Sequence, residues 1–167
     1  MKKRCISLYV ENQIGVLAKI SGLFAGKSYN LDTLTVGETE DPTVSRMTIE
    51  MTMDDVTFEQ VKKQLNRNVV VIKVMDFSDI PIQKTELLYI KIHSCTEKDK
   101  TEIFRIVNSF DHLEIADYGK KSVIVRYVET EGKVNDIIEL FNKTFINRIE
   151  VVRGGSVAIE SVSTTTK

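Results

Sequence analysis

The sequence predicts an α+β protein made of two successive βαββαβ units. Three observations carry this. Apolar residues switch between alternate and helical spacing in the same order twice. The two series are offset by about 80 residues. Only two prolines occur, and both fall at joints between patterns.

In the first series, Ile6, Leu8 and Val10 alternate with Cys5, Ser7 and Tyr9, which is a strand period. Val16, Leu17, Ile20, Leu23 and Phe24 follow a helical period and give that helix one apolar face. Leu34 and Val36 mark a short second strand. The Asp41-Pro42 turn leads into the clearest alternation, with Ser45, Met47, Ile49, Met51 and Met53 on one face. Arg46, Thr48, Glu50 and Thr52 lie on the other. Thr57-x-x-Gln60 fits a capping box before a helix with Phe58, Val61 and Leu65 on one face. The β-branched run from Val69 to Val74 predicts a buried closing strand.

The second series repeats the order. Leu88, Ile90 and Ile92 alternate. Ile103, Ile106, Val107 and Phe110 make a helix face. Leu113–Ala116 and Ser122–Val128 are strands. Val134, Ile137, Ile138 and Phe141 face the last helix inward, and Ile149–Val152 closes the sheet. The Ser/Thr-rich end, Ser161–Lys167, is expected to fray. Pro81 lies in the linker between the series, which places the domains at 1–78 and 79–167. Two such units make tandem ferredoxin-like domains. Each sheet then has one face for helices and one for solvent or a partner. Edge strands need covering, and pairing between protomers does this, so a homodimer is expected.

At 167 residues the chain is long enough for a proper core without staples. Lys plus Arg total 23 against 24 Asp plus Glu, for a net charge of −1. That balance gives no footprint for nucleic acid or an anionic membrane. No apolar run reaches the ~18 residues of a membrane span. Ser7, Glu11, Asn12 and Gln13 interrupt the apolar run behind the basic N-terminus, which makes a poor signal peptide. Two cysteines, Cys5 and Cys95, make no disulfide framework. The expected setting is cytoplasmic and reducing.

No GxSxG, HExxH or paired Cys/His motif is present, so no catalytic site and no metal site is expected. His93 falls on a polar strand face and His112 in a turn, and both are expected at the surface. The methionine stripe is core packing. Gly22-Leu-Phe-Ala-Gly26-Lys27-Ser28 superficially resembles a phosphate-binding loop. It is one residue short between its glycines and follows a helix, so a helix ending near Gly26 is expected instead.

The positive signal is Glu11-Asn12-Gln13-Ile14-Gly15-Val16-Leu17, which joins the first strand to the first helix. Asn12 is placed to cap that helix. Gly15 permits close backbone approach. A helix N-terminus suits a carboxylate. The same residues serve equally well as a capped βα turn without a ligand. Asn30, before the second strand, tolerates a left-handed backbone or offers its amide to a ligand's polar end.

These residues carry a family resemblance. Asn12-x-x-Gly15-Val-Leu17, Ile20-Ser-Gly22-Leu23-Phe24, Tyr29-Asn30-Leu31, Leu34-Thr35-Val36 and Asp41-Pro42-Thr43-Val44-Ser45-Arg46-Met47-Thr48-Ile49 resemble the small regulatory subunit of acetohydroxyacid (acetolactate) synthase. Thr101–Arg105, Gly132-Lys133 and Glu150–Gly155 fit that family's C-terminal domain more loosely. The resemblance implies that the first unit is an ACT domain, which binds an amino acid at a dimer interface. It implies no catalysis or cofactor in this chain. A separate catalytic large subunit would carry thiamine diphosphate, Mg²⁺ and FAD and form acetolactate from pyruvate, towards valine, leucine and isoleucine. The small subunit would raise that activity and confer feedback inhibition, usually by valine. Carried over by position, Asn12, Gly15 and Asn30 would bind valine, with Ile14, Val16 and Leu17 at the same loop and helix start. The sequence departs from the family at Lys27-Ser28, where Arg-Gly is usual. An alternative is an ACT-type amino-acid sensor regulating a different enzyme. A small enzyme on the same scaffold would need a catalytic cluster, and Asp54-Asp55 and Glu129/Glu131 fit turns and helix starts instead.

Overall fold

The computed structural model describes residues 1–27 and 29–162. Ser28 of the substituted loop, and the part of the expected frayed tail from residue 163 on, lie outside the described residues. The order is β1 (Lys2–Glu11), α1 (Val16–Ala25), β2 (Thr33–Glu38), β3 (Val44–Met53), α2 (Asp55–Asn66) and β4 (Val71–Asp76). It continues with β5 (Ile82–Ile92), α3 (Glu97–Val107), β6 (Leu113–Tyr118), β7 (Val123–Glu129), α4 (Glu131–Thr144) and β8 (Ile149–Glu160). The strands form two four-stranded sheets, ordered β2-β3-β1-β4 and β6-β7-β5-β8. This is the tandem ferredoxin-like arrangement the periodicity predicts.

Among the described residues, those of 1–84 and 156–162 form one compact unit, and Thr85–Gly155 form the other. In the first, Ile6, Leu8, Met47, Ile49 and Met51 of the sheet pack against Ile20 and Phe24 of α1 and Phe58, Val61 and Leu65 of α2. In the second, Leu88, Ile90, Ile92, Val123 and Val125 pack against Ile103 and Ile106 of α3 and Val134, Ile137 and Phe141 of α4. α1 runs through Gly22 and ends at Gly26, which removes the phosphate-loop reading. No helix among the described residues is long and apolar enough to cross a membrane.

Several local expectations need correction. α2 is capped by Asp54, whose carboxylate accepts from the Thr57 N–H at 2.9 Å, so the helix starts before Thr57. Thr57 sits in the first turn and donates its hydroxyl to Asp54 at 2.7 Å. The Val69–Val74 run is buried only on one side: Val70 lies in the core with Val71 and Val74 packed against it, whereas Val69 and Ile72 are exposed, and β4 is an edge strand beside β1. The β-branched run reflects strand propensity rather than burial on both sides.

β8 also extends eight residues past Val152, through Gly154-Gly155. Its last residues lie over the polar face of β3. There Glu50, expected at solvent or a partner, is fully buried, and Thr48 nearly so. Gly155 has φ 127°, and a Cβ there would lie 3.1 Å from Glu86 Cα. The glycine is thus a close-approach point within the strand, not a terminator.

Candidate functional site

The β1–α1 loop is built around Gly15, the N-cap of α1, which has φ 86°. That left-handed backbone is what the sequence reserves a glycine for. No side chain caps the helix, and its first turn holds no acidic residue. Val16 N–H donates to Gln13 O at 3.3 Å, and no side-chain carboxylate caps the positive end of α1 among the described residues. Ile14 is fully exposed, Leu17 is about half exposed, and Val16 turns into the core.

Asn12 does not cap α1 as expected. Its backbone N–H donates to Thr43 O at 2.7 Å. Its side-chain amide donates to Glu38 Oε1 at 3.1 Å and to Pro42 O at 2.9 Å. The carboxylate and carbonyl of the hairpin between β2 and β3 take up the amide's N–H donors, and the side-chain oxygen accepts no capping bond from α1. Asn12 therefore ties the loop to that hairpin.

The structure brings Asn12, Ile14, Gly15, Val16 and Leu17 together at one end of the sheet. It does not bring Asn30 to them within one chain. Asn12 pairs with Thr43, whereas Asp32, two residues past Asn30, pairs with Glu50. Thr43 and Glu50 are seven positions apart on one extended segment, roughly 23 Å at ~3.3 Å per residue. Asn30 is exposed at the opposite end.

α3 holds the matching place in the second unit. Thr96 caps it, and Asp99 returns the bond in a full capping box. The Asp99 carboxylate accepts from Thr96 N–H at 2.8 Å and from Arg148 Nη1 and Nη2 at 2.9 and 3.1 Å. The bidentate Arg148 guanidinium, then the Thr96 donors, hold Asp99 well below the usual carboxylate range.

Neither cysteine is poised as a nucleophile. Burial, then the Glu50 charge, pushes the Cys5 thiol up to about 11, and burial also raises Cys95. His112 is exposed in its turn. His93 is half-exposed beside Glu150 at 3.4 Å.

Residues 6–73 match the family described as AHAS small subunit-like ACT domain, and residues 85–162 match the small subunit of acetolactate synthase. The chain belongs to the acetolactate synthase small-subunit family. It is 38% identical to the acetolactate synthase small subunit of Aquifex aeolicus, covering 95% of this chain and 81% of that one. It is 39% identical to the probable small subunit of Archaeoglobus fulgidus, covering 94% and 96%. The crystal structure of the Thermotoga maritima acetolactate synthase small subunit superposes with a TM-score of 0.86 at 32% identity, covering 96% of this chain and 98% of that one. Within this small-subunit family, the feature that sequence reasoning missed is the extension of β8. Its alternation of Ser156 and Ala158 with Val157 and Ile159 was legible, but the preceding glycine pair obscured it.

Proposed function

We propose that this chain is the regulatory subunit of acetolactate synthase: it raises the activity of a separate catalytic large subunit and makes it sensitive to valine. The observation that carries the effector site is the first turn of α1. It combines a left-handed glycine, no side-chain cap and no acidic residue. A ligand carboxylate supplies there what Asp99 supplies at α3. The valine ammonium is served by the oxygens gathered around Asn12, namely Glu38 and the Pro42 carbonyl. Exposed Ile14 and Leu17 offer the isopropyl group an apolar wall.

Asn30 joins this site only from a second protomer, since it lies at the far end of its own sheet. Edge strand β2, with Val36 exposed, is the natural seam for a homodimer. Valine bound across that seam favours one arrangement of the two copies. By linkage, occupancy then alters the large subunit's activity, with typical coupling factors of about 5 to 150. Thiamine diphosphate, Mg²⁺ and FAD belong to the large subunit, and the complex works in the cytoplasm.

The test is acetolactate formation by the cognate large subunit, with and without this chain, across a valine titration. The expected result is stimulation by the chain, then inhibition as valine is added. Stimulation without inhibition would remove the valine site and keep the subunit role. No stimulation would favour an amino-acid sensor acting on a different enzyme.

A further inference from the structure

The last residues of β8 are held to the first sheet by a set of polar contacts. Thr35 Oγ1 donates to Ser156 O at 3.0 Å, and Arg46 Nη2 donates to Ala158 O at 3.1 Å. Ser156 Oγ donates to Glu50 Oε2 at 2.9 Å, and Ser161 N–H donates to Pro81 O at 2.9 Å. Arg46 is itself fixed by Ser7 Oγ at 2.8 Å and by the Tyr9 ring. Glu50 is further paired with Lys84 and, at 3.5 Å, with Lys3.

Little apolar burial adds to this hold. Ala158 is covered, but Val157 and Ile159 remain more than half exposed. The segment is also the end of β8, an edge strand hydrogen-bonded to β5, and the end of an edge strand with alternate side chains exposed opens more readily than the core strands do. Immediately before it lie Gly154, where a side chain would meet open space, and Gly155 with φ 127°.

The residues that grip this segment flank the hairpin that holds the effector loop. Thr35 is on β2 and Arg46 is on β3, where Arg46 pairs with Gly37 and Glu38 pairs with Ser45. Asn12 reaches Glu38 and Pro42 of that same hairpin.

We infer that residues 156–161 form a releasable strap, and that ligand binding at the β1–α1 loop loosens it by drawing the Asn12 amide away from the β2–β3 hairpin. The inference rests on the effector reading above and deepens it by naming the moving part. The strapped state covers Thr48 and Glu50, and the released state bares them. The strap and the loop then share one equilibrium, so their coupling is reciprocal. A change that loosens the strap favours the valine-binding form.

The test combines hydrogen exchange of Ser156–Ser161 with valine calorimetry on the full chain, for the native protein and for Thr35→Val and Ser156→Ala. Valine is expected to speed exchange of the strap by 5-fold or more and to leave β1 and β3 unchanged. Both variants are expected to exchange faster in the strap without ligand and to bind valine several-fold more tightly. Valine that binds without altering strap exchange would overturn the strap and leave the effector site standing. Variants with a loosened strap and unchanged or weaker valine affinity would do the same. An absence of any valine heat in the native chain would overturn the effector site, and the coupling with it.

Discussion

Helices α1 and α3 hold equivalent positions in their units, yet their first turns are completed differently. α3 carries its own carboxylate, Asp99, locked by Thr96 and Arg148. α1 begins at a bare glycine, with no cap and no acid. The same backbone requirement is met by side chains of the chain itself at α3 and by no side-chain cap at α1. The open sheet faces differ as well. In the first unit the strap covers Glu50 and Thr48. In the second, Leu87, Val128 and Val152 stay exposed beside Tyr89 and the Arg126–Glu114 pair. One fold thus presents an uncapped helix end and a covered sheet in one unit, and a capped helix end and a bare sheet in the other.

The largest effect should come from Glu50→Ala. It leaves Lys84 and Lys3 facing a site built around a buried carboxylate, and breaking a buried pair costs about 3–5 kcal/mol. Urea unfolding, followed by hydrogen exchange in β1 and β3, measures this. Glu114→Ala on the exposed face of the second sheet should leave the unfolding midpoint unmoved. Equal losses would erase the contrast between covered and bare faces.

Gly155→Ala should cost about 1–3 kcal/mol, because its backbone is strained for any other residue and its Cβ would crowd Glu86. Gly154→Ala, with open space, is the control. Thermal unfolding separates the two.

Thr96→Ala should cost about 1 kcal/mol through loss of the α3 cap. No corresponding cap exists at α1 to remove. The converse change, Gly15→Asp, gives α1 a carboxylate of its own at a strained position. It should weaken valine binding at least 100-fold by calorimetry. Unchanged affinity would remove the proposed site.

The smallest effect is a dependence on pH. Burial favours the protonated form of Glu50, but hydrogen bonds from Lys84 and Ser156 and the charges of Lys84 and Lys3 outweigh it. Its carboxyl therefore sits below the ordinary 4.5. A depressed carboxyl contributes stability above its unfolded value and loses that contribution as pH falls through the folded one. Strap protection should thus be flat above about pH 5 and fall below 4.5, and hydrogen exchange across that range checks it. Asp99, held lower still, should keep α3 capped further into acid.

Much of this was legible in the sequence because one-sided burial imposes a period. The alternation of Ile6-Leu8-Val10 and of Met47-Ile49-Met51 reflects a sheet with one apolar face packed on helices. Gly15 was legible as a backbone position that calls for glycine, read as a close approach, and the structure gives the reason as its left-handed φ of 86°. The partners of Asn12 were not, because they lie across the sheet at Glu38 and Pro42, which no local pattern connects to position 12. The strap was hidden for a similar reason. Gly154-Gly155 signals a break unless one knows that Glu86 crowds Gly155. The burial of Glu50 depends on Ser156, more than a hundred residues away. The opposite placement of Asn30 and Gly15 follows only from sheet register.

The most direct test of the account is an amide-resolved NMR titration of the full chain with valine. The account predicts saturable shifts at Asn12–Leu17 and Asn30 and in the strap, with none at Thr96–Asp99, where the chain's own carboxylate already fills the helix end. Saturable binding without shifts at Asn12–Leu17, or shifts centred on Thr96–Asp99, would contradict it.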